Sequence, residues 1–196
     1  MHGVLKKLLF MLMLVGCFIA RAQEYNETIP GKQPEKPVLR FIASTGVLAG
    51  ASDRQLQVQA VSGLQFGQWQ AGVGTGIDYY YFRGVPLFAD VRRTFSKSRA
   101  FFSYANMGLH FPWVKGSGAN DWFKYSYKTG LYYDLGAGWQ VKTGAHTAVV
   151  FSAGYSGKTI GETLTYFFNI EPSPISHTTE FKYHLRRISI KAGFQF

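Results

Sequence analysis

Hydrophobic and polar residues alternate along most of the chain after residue 37. In residues 131–141 every second position is apolar or aromatic, and the positions between them hold glycine, tyrosine or polar residues. Residues 71–82 and 187–196 largely repeat this pattern. Alternation with a period of two predicts β-strands that present one apolar face. Five weaker runs bring the predicted number of strands to eight, at residues 38–48, 55–66, 87–95, 101–111 and 149–155.

The connections between the predicted strands lie at two ends and differ in length. At one end the turns are all short, near residues 67–70, 96–99 and 142–146. At the other end two are short, near residues 50–53 and 83–85, and two are long, at residues 112–124 and 157–180. An even number of strands with long loops at one end is typical of outer-membrane barrels. We therefore predict an all-β fold, an eight-stranded antiparallel up-and-down transmembrane β-barrel over residues 38–196.

The less apolar face of each strand suits a packed interior better than a water-exposed surface. It carries mostly glycine, tyrosine and uncharged polar residues, and the chain is 46% hydrophobic, 17% aromatic and only 16% charged. A barrel with a lipid-facing exterior fits this composition, whereas a soluble sandwich would carry charge on its outer face. The alternative is a soluble exported barrel that uses the same aromatic residues as its core and binds a small apolar ligand.

Aromatic residues cluster near both ends of the predicted strands, as expected at two lipid interfaces. The inner set is Trp69, Phe95, Phe101, Trp139 and Phe196, and the outer set is Tyr79, Tyr81, Phe111, Trp113 and Tyr133. Alternation also places Arg93 on the lipid-facing side. Because Arg93 lies near the inner end of its strand, its charge there costs about 0 to 1 kcal/mol.

The N-terminus has the order of a secretory signal peptide. Two lysines precede an apolar run at residues 8–19, which is followed by small residues and then by polar ones. This order predicts a signal peptide at residues 1–22, cleaved after Ala22, and a flexible Pro-containing lead at residues 23–37. A lipoprotein signal that would lipidate Cys17 is the alternative. Cys17 is the single cysteine, so cleavage after Ala22 leaves no thiol for a disulfide or a zinc site.

The predicted interior contains several ions and tyrosines. Alternation directs the following side chains inward: Asp78, Asp90, Arg92, Asn106, Asp134, Arg187 and Lys191, joined by Tyr80, Tyr104, Tyr132 and Gln140. An eight-stranded barrel is only wide enough to be filled by side chains, so ions inside it must pair with one another. We therefore expect a structural set of ion pairs, with glycines making room for the tyrosines, rather than a catalytic pair of carboxylates.

The histidines indicate no recognisable site. A barrel deacylase would need a histidine and a serine two positions apart on one strand, and His110, His146 and His184 have no such neighbour. The last long loop offers a further set of metal-binding residue types, Glu171, His177, Glu180 and His184, without the tight spacing of a metal site. We expect no catalytic, cofactor-binding or metal site, and no cofactor.

The C-terminal strand carries a resemblance to a known group of proteins. Residues 187–196 end on an aromatic residue, as does the last strand that outer-membrane barrels present to their assembly machinery. Together with residues 74–80, 85–90 and 130–136, this strand resembles the small outer-membrane β-barrel proteins of Bacteroidota, related in architecture to OmpA and OmpX. The resemblance implies recognition by the barrel assembly machinery through the strand ending in Phe196. One departure is Lys191, which stands where the usual signal has glycine.

We expect a non-enzymatic outer-membrane barrel with an envelope-structural or surface-binding role through its long outer loops. The expected partners are outer-membrane lipid, the assembly machinery and an unidentified surface ligand, and the expected state is a monomer. The formal net charge is +10, but no run of basic residues exceeds two, so nucleic acid is not an expected partner. The alternatives are a small-barrel lipid-modifying enzyme and the soluble barrel described above.

Overall fold

The described part of the chain is entirely β-structure. The computed structural model describes residues 36–51, 53–80, 83–95, 100–113, 119–120, 123–144, 147–168 and 175–196. Its strands are β1 Val38–Ala49, β2 Arg54–Phe66, β3 Trp69–Asp78, β4 Gly84–Thr94, β5 Phe101–Pro112, β6 Ala119–Asn120, β7 Phe123–Lys128, β8 Gly130–Lys142, β9 Ala148–Phe168 and β10 Ile175–Gln195. Among these residues, no helix has the length and apolarity needed to cross a membrane. The predicted signal peptide and most of the lead lie outside the described residues.

Eight of the strands close into a barrel. Each pairs antiparallel with its neighbours in the order β1, β2, β3, β4, β5, β8, β9, β10, and β10 returns to β1. The closing register runs from Ile42 opposite Gln195 to Ala49 opposite Ile188, and Phe41 and Phe196 add two main-chain hydrogen bonds of 3.1 and 2.8 Å. Closure leaves no sheet edge within the barrel itself, so the ladder satisfies the backbone groups of its strands. The predicted eight-stranded antiparallel up-and-down barrel is confirmed.

Side-chain alternation sorts residues between the two faces of the barrel. On β2, Gln57 and Gln59 are buried, whereas Val58 between them is 56% exposed. The same rule holds around the barrel, where the outside is covered by apolar side chains. The inside holds polar residues, glycines and two buried clusters, one of Ile42, Val61, Phe88 and Tyr132 and one of Phe102, Tyr104 and Val150. The tight β2–β3 turn depends on Gly67, whose φ of 57° lies in the left-handed region that favours glycine.

The predicted aromatic bands lie on the outside of the barrel where the structure describes them. All five residues of the inner set are exposed there, and Tyr79, Phe111 and Trp113 of the outer set are exposed as well. Tyr133 is half-buried, and Tyr81 lies outside the described residues. Arg93 is exposed as predicted, with its guanidinium 5.2 Å from the Trp69 ring and 5.5 Å from the Phe95 ring. These cation–π contacts hold the charge at the inner aromatic band.

One predicted loop is wrong. Residues 157–180 were expected to form a long connection, but β9 and β10 are each 21 residues long and remain paired up to Phe168 opposite Ile175. The other long connection, at residues 112–124, contains β6 and the start of β7. β7 pairs with β9 from Lys128 opposite Gly161 outward, directly beyond the point where β8 leaves β9. The parts of β6, β7, β9 and β10 beyond the barrel form a projecting sheet, hereafter the sheet extension (residues 119–120, 123–128, 159–168 and 175–186).

The closing strand pair suggests a test of Phe196. We expect Phe196→Ser, or deletion of Phe196, to lower the amount of folded barrel while leaving export intact, because the residue belongs to the predicted assembly signal. Phe95→Ser is the matched control, since Phe95 is an equally exposed ring of the inner band outside the closing strand. Heat-modifiable protein is quantified on gels of cell envelopes. Equal amounts in Phe196→Ser and wild type would show that the signal is misassigned.

Candidate functional site

Three groups of ions lie along the barrel interior. The group nearest the inner end, where the turns are short, contains Asp90 and Arg92. The Arg92 Nε donates to both carboxylate oxygens of Asp90, at 3.0 and 3.1 Å. With its amide nitrogen turned toward Asp90, Asn106 donates to Asp90 Oδ2 at 2.7 Å. The guanidinium also lies 5.5 Å from the Phe102 ring and 5.8 Å from the Tyr104 ring. Asp90 and Asn106 are completely buried, whereas the Arg92 side chain is 13% exposed at the inner end of the barrel.

Asp134 is the centre of the middle group. It accepts hydrogen bonds from Lys191 Nζ at 2.6 Å, from Tyr104 OH at 3.0 Å and from Ser189 Oγ at 3.1 Å. Lys191 also donates to Gln59 Oε1 at 3.4 Å. Strands β5, β8 and β10 therefore meet at this buried carboxylate, and β2 joins the group through Lys191. The contacts satisfy a charge that would be very costly to bury alone.

Lys158 is the centre of the outermost group. Its ammonium lies 2.6 Å from Asp78 Oδ1 and 2.9 Å from His110 Nε2, and 4.4 Å from the centre of the Tyr80 ring. The Tyr80 hydroxyl donates to Ser156 Oγ. Each of these five residues is at most 1% exposed. The group is therefore closed to solvent and to the outside of the barrel.

Arg187 connects this interior to the outer rim. Its NH2 donates to Asp53 Oδ2 at 2.8 Å and to the main-chain oxygen of Tyr80, and its NH1 donates to the Leu48 carbonyl at 3.4 Å. The Arg187 hydrogen bond lowers the pKa of Asp53, which lies in the β1–β2 connection. The bond also tethers that connection to the barrel wall.

The structure brings together the inward residues that the sequence predicts. The predicted ions, Asn106 and the three tyrosines are directed inward and nearly all are buried. The sequence prediction does not include Lys158 and Ser156 at the outer end, because it ends the strand at residue 155 and places a loop at residues 157–180. The sequence prediction also places His110 near a strand end but assigns it no contact with the interior ions. Continued period-two alternation through residue 160 would have found Lys158.

Glycines make the interior deep enough for these side chains. Gly136 and Gly154 are directly opposite each other on β8 and β9. A Cβ on either one would collide with the hydroxyl of Tyr104, and a Cβ on Gly74 would collide with the Phe88 ring. This confirms that glycines make room for large inward rings. The interior is filled by side chains rather than open as a channel.

The contacts within the barrel are those of a structural core. Each buried cation faces a carboxylate, and the hydrogen bonds of Ser156 run to Tyr80 and to the Tyr133 carbonyl. Among the described residues, no three histidine, cysteine or acidic side chains converge as a metal site. Glu171 of the alternative metal set lies outside the described residues. Glu180 pairs instead with Lys128, and His177 lies on the opposite face of β10 from Glu180 and His184.

The sheet extension reverses the polarity of the barrel. Its face continuous with the barrel interior is mostly aromatic or aliphatic, and includes Tyr125, Tyr127, Ile160, Leu164, Tyr166, Phe181 and Tyr183. Its opposite face, continuous with the barrel exterior, is polar and basic. That face includes a cleft of about 350 Å³ near the β7–β8 junction, lined by residues from Lys128 to Gly130, Thr159 to Thr163 and Glu180 to Lys182.

Comparison with known proteins adds little to these observations. No protein-family model matches the chain, and no curated protein matches it. Among solved structures, the chain is similar to outer membrane protein AlkL, whose structure was solved by solid-state NMR in DMPC lipid bilayers. The two chains are 13% identical over 87% of this chain and 96% of that chain, with a TM-score of 0.34. The barrel fold follows from the strand pairing of this chain itself.

The middle ion group yields a stability prediction. We expect Lys191→Met to destabilise the barrel by about 3 to 5 kcal/mol, because it leaves Asp134 buried without its cation. The double variant Lys191→Met/Asp134→Asn should lose less than Lys191→Met alone, since no uncompensated charge remains. Lys142→Met is the control, because Lys142 is an exposed lysine at the inner end of the barrel, and it should change stability by less than about 0.5 kcal/mol.

The measurement is urea unfolding in lipid vesicles followed by tryptophan fluorescence. A Lys191→Met barrel as stable as the Lys142→Met barrel would show that water reaches Asp134. Equal losses in the single and double variants would show that packing, rather than the ion pair, determines the stability at this position.

Proposed function

We propose that this chain is a non-enzymatic β-barrel protein of the outer membrane, with an envelope-structural or surface-binding role. The observation that carries the proposal is the apolar exterior of the barrel. Large hydrophobic side chains point outward from all eight barrel strands, including Leu39 (68% exposed), Val73 (60%) and Ile190 (59%). A continuous apolar surface of this extent in water would drive aggregation, whereas lipid is its natural solvent.

The height of the apolar exterior supports membrane insertion. Phe101 and Phe111 are exposed rings at the inner and outer ends of β5, ten residues apart. Ten residues of antiparallel strand, tilted by about 40°, rise by about 26 Å. Outer-membrane barrels carry an apolar band of about 25 Å between two aromatic girdles. The exterior of this barrel is therefore matched to a bilayer, and outer-membrane lipid is its proposed surrounding.

The remaining parts of the proposal follow from the interior and the sheet extension. Because the interior is filled by paired ions and large rings, conduction of solutes is not the favoured role. The sheet extension instead presents a broad surface outside the barrel, and its aromatic face includes Phe181 and Tyr183 with ring centres 6.4 Å apart. Exposed aromatic rings are suited to binding a surface ligand. We propose the sheet extension as the binding element in place of the two loops expected from the sequence.

The other expectations remain proposals of the same kind. They are a monomeric state, recognition by the assembly machinery through the strand ending in Phe196, cleavage after Ala22, and membership among small Bacteroidota barrels. The lipid-modifying enzyme is less favoured, because the buried Lys158 group is closed to lipid and the hydrogen bonds of Ser156 link it to neither Lys158 nor His110. The soluble barrel is less favoured because its exterior would have to be polar.

Location is the first test of this proposal. We expect the mature protein to sediment with the outer membrane, to require detergent for extraction and to migrate faster on a gel when unheated, because its exterior is apolar. Envelope fractionation combined with a heat shift measures all three properties. Recovery in the soluble periplasmic fraction would rule out the membrane-spanning proposal.

The depth of the apolar band provides a second test. Val73 points outward near the middle of β3, and Thr165 points outward on the sheet extension, beyond the band. We expect Val73→Arg to destabilise the barrel in lipid vesicles by about 2 to 4 kcal/mol, and Thr165→Arg by about 0 to 1 kcal/mol. Equilibrium unfolding in the same vesicles compares the two variants. Equal, small effects would mean that lipid does not surround Val73.

A further inference from the structure

Strand β10 changes character along its outward face. From the inner end the outward residues are Phe194, Ala192, Ile190 and Ile188, and beyond them come Arg186, His184, Lys182 and Glu180. The first four form part of the apolar exterior, whereas the next four are ionisable and all exposed. The change from apolar to basic occurs between two consecutive outward residues, Ile188 and Arg186. This boundary marks where the strand leaves the apolar layer.

The neighbouring strands extend the basic surface sideways. Lys128 on β7 and Lys182 on β10 are both directly opposite Gly161 of β9, so two lysines flank a position without a side chain. One row further out, Thr163 is opposite Ser126 and Glu180, and its hydroxyl is buried without a hydrogen-bond partner among the described residues. These rows form the walls of the cleft near the β7–β8 junction.

The outward face of the sheet extension carries a net positive charge. Its described cations are Lys124, Lys128, Lys182 and Arg186, and its described carboxylate is Glu180. Glu180 pairs with Lys128. His184 adds a further nitrogen donor between Lys182 and Arg186. The face therefore suits an anion with several oxygen acceptors.

The depth of these cations relative to the apolar band indicates which anion they meet. Arg186 and Lys182 are four residues apart, a rise of about 10 Å along a strand tilted by about 40°. The polar layer on each side of a bilayer is about 5 to 8 Å thick, so side chains from these two positions reach across it. The layer directly beyond the apolar band is where lipid phosphates lie. Lysine and arginine contribute about 1 kcal/mol each near an anionic lipid surface.

We propose that the outward basic face of the sheet extension, centred on Lys182 and Arg186, binds the phosphate groups of outer-leaflet lipids. The inference depends on the proposed membrane-spanning barrel, which holds the face at phosphate depth. Binding there gives the sheet extension a second attachment to the membrane besides the barrel. It also leaves the aromatic face of the extension directed away from the lipid.

The test measures lipid retention by the folded, full-length mature protein. The protein is held in detergent micelles that contain equal amounts of lipid A and of the same lipid without its phosphates. Native mass spectrometry then measures which of the two lipids stays bound when the protein is released from the micelles. We expect the wild type to retain lipid A preferentially, and Lys182→Gln/Arg186→Gln to reduce that preference roughly tenfold or more. The control is Lys36→Gln/Lys142→Gln, which removes two exposed lysines at the opposite end of the barrel and should retain the preference.

Each alternative result has a defined meaning. Equal retention of the two lipids by wild type, or equal losses in the two double variants, would overturn the proposal. Displacement of lipid A by millimolar inorganic phosphate alone would identify a site for free phosphate and would also overturn it. The conservative variant Lys182→Arg/Arg186→Lys should keep the preference. The heat shift of each variant reports barrel insertion separately, so failure of the membrane-spanning proposal is distinguished from failure of this one.

Discussion

The narrow interior of a closed eight-stranded barrel is the constraint on which the rest of this structure depends. Such a barrel encloses only enough space for side chains, so a charge that points inward must find its partner inside. Asp134 meets this condition through Lys191, Tyr104 and Ser189, which come from two other strands. The same constraint explains Gly136 and Gly154, because a methyl group at either position would displace the Tyr104 hydroxyl.

The ion groups differ in how far they are buried. The groups centred on Asp134 and Lys158 are buried. Arg92 is partly exposed at the inner end of the barrel, and Arg187 reaches from the buried Tyr80 carbonyl to the half-exposed Asp53 at the outer rim. A buried pair contributes less to stability than its short distances imply, because desolvation of both ions offsets their attraction. Its stronger effect is on specificity, since a slip of one residue in any strand would direct these charges into the apolar exterior.

In the proposed membrane-spanning barrel, the reversal of polarity between barrel and sheet extension corresponds to a change of solvent. Within the apolar band, lipid requires an apolar exterior and the interior accepts polar groups. Beyond the band, water or lipid headgroups contact the outer face, and the inner face becomes the one on which apolar residues collect. The same two strands, β9 and β10, run through both environments without interruption. Their side-chain pattern therefore records the position of the boundary between the two.

The sequence by itself determined the strand number, the inward and outward faces, and the nature of the exterior. These properties follow from alternation within a single strand, because successive side chains point to opposite faces whatever the strand pairs with. Only the tertiary structure decided which ions meet. Asp78 and Lys158 are 80 residues apart in sequence, and Asp134 and Lys191 are 57 apart. Their contact depends on barrel closure and strand stagger, which no local pattern encodes. The extent of β9 and β10 was only partly visible in the sequence. Alternation continues past residue 155, but its apolar and polar faces are then exchanged, and the pairing between the two strands establishes how far both continue.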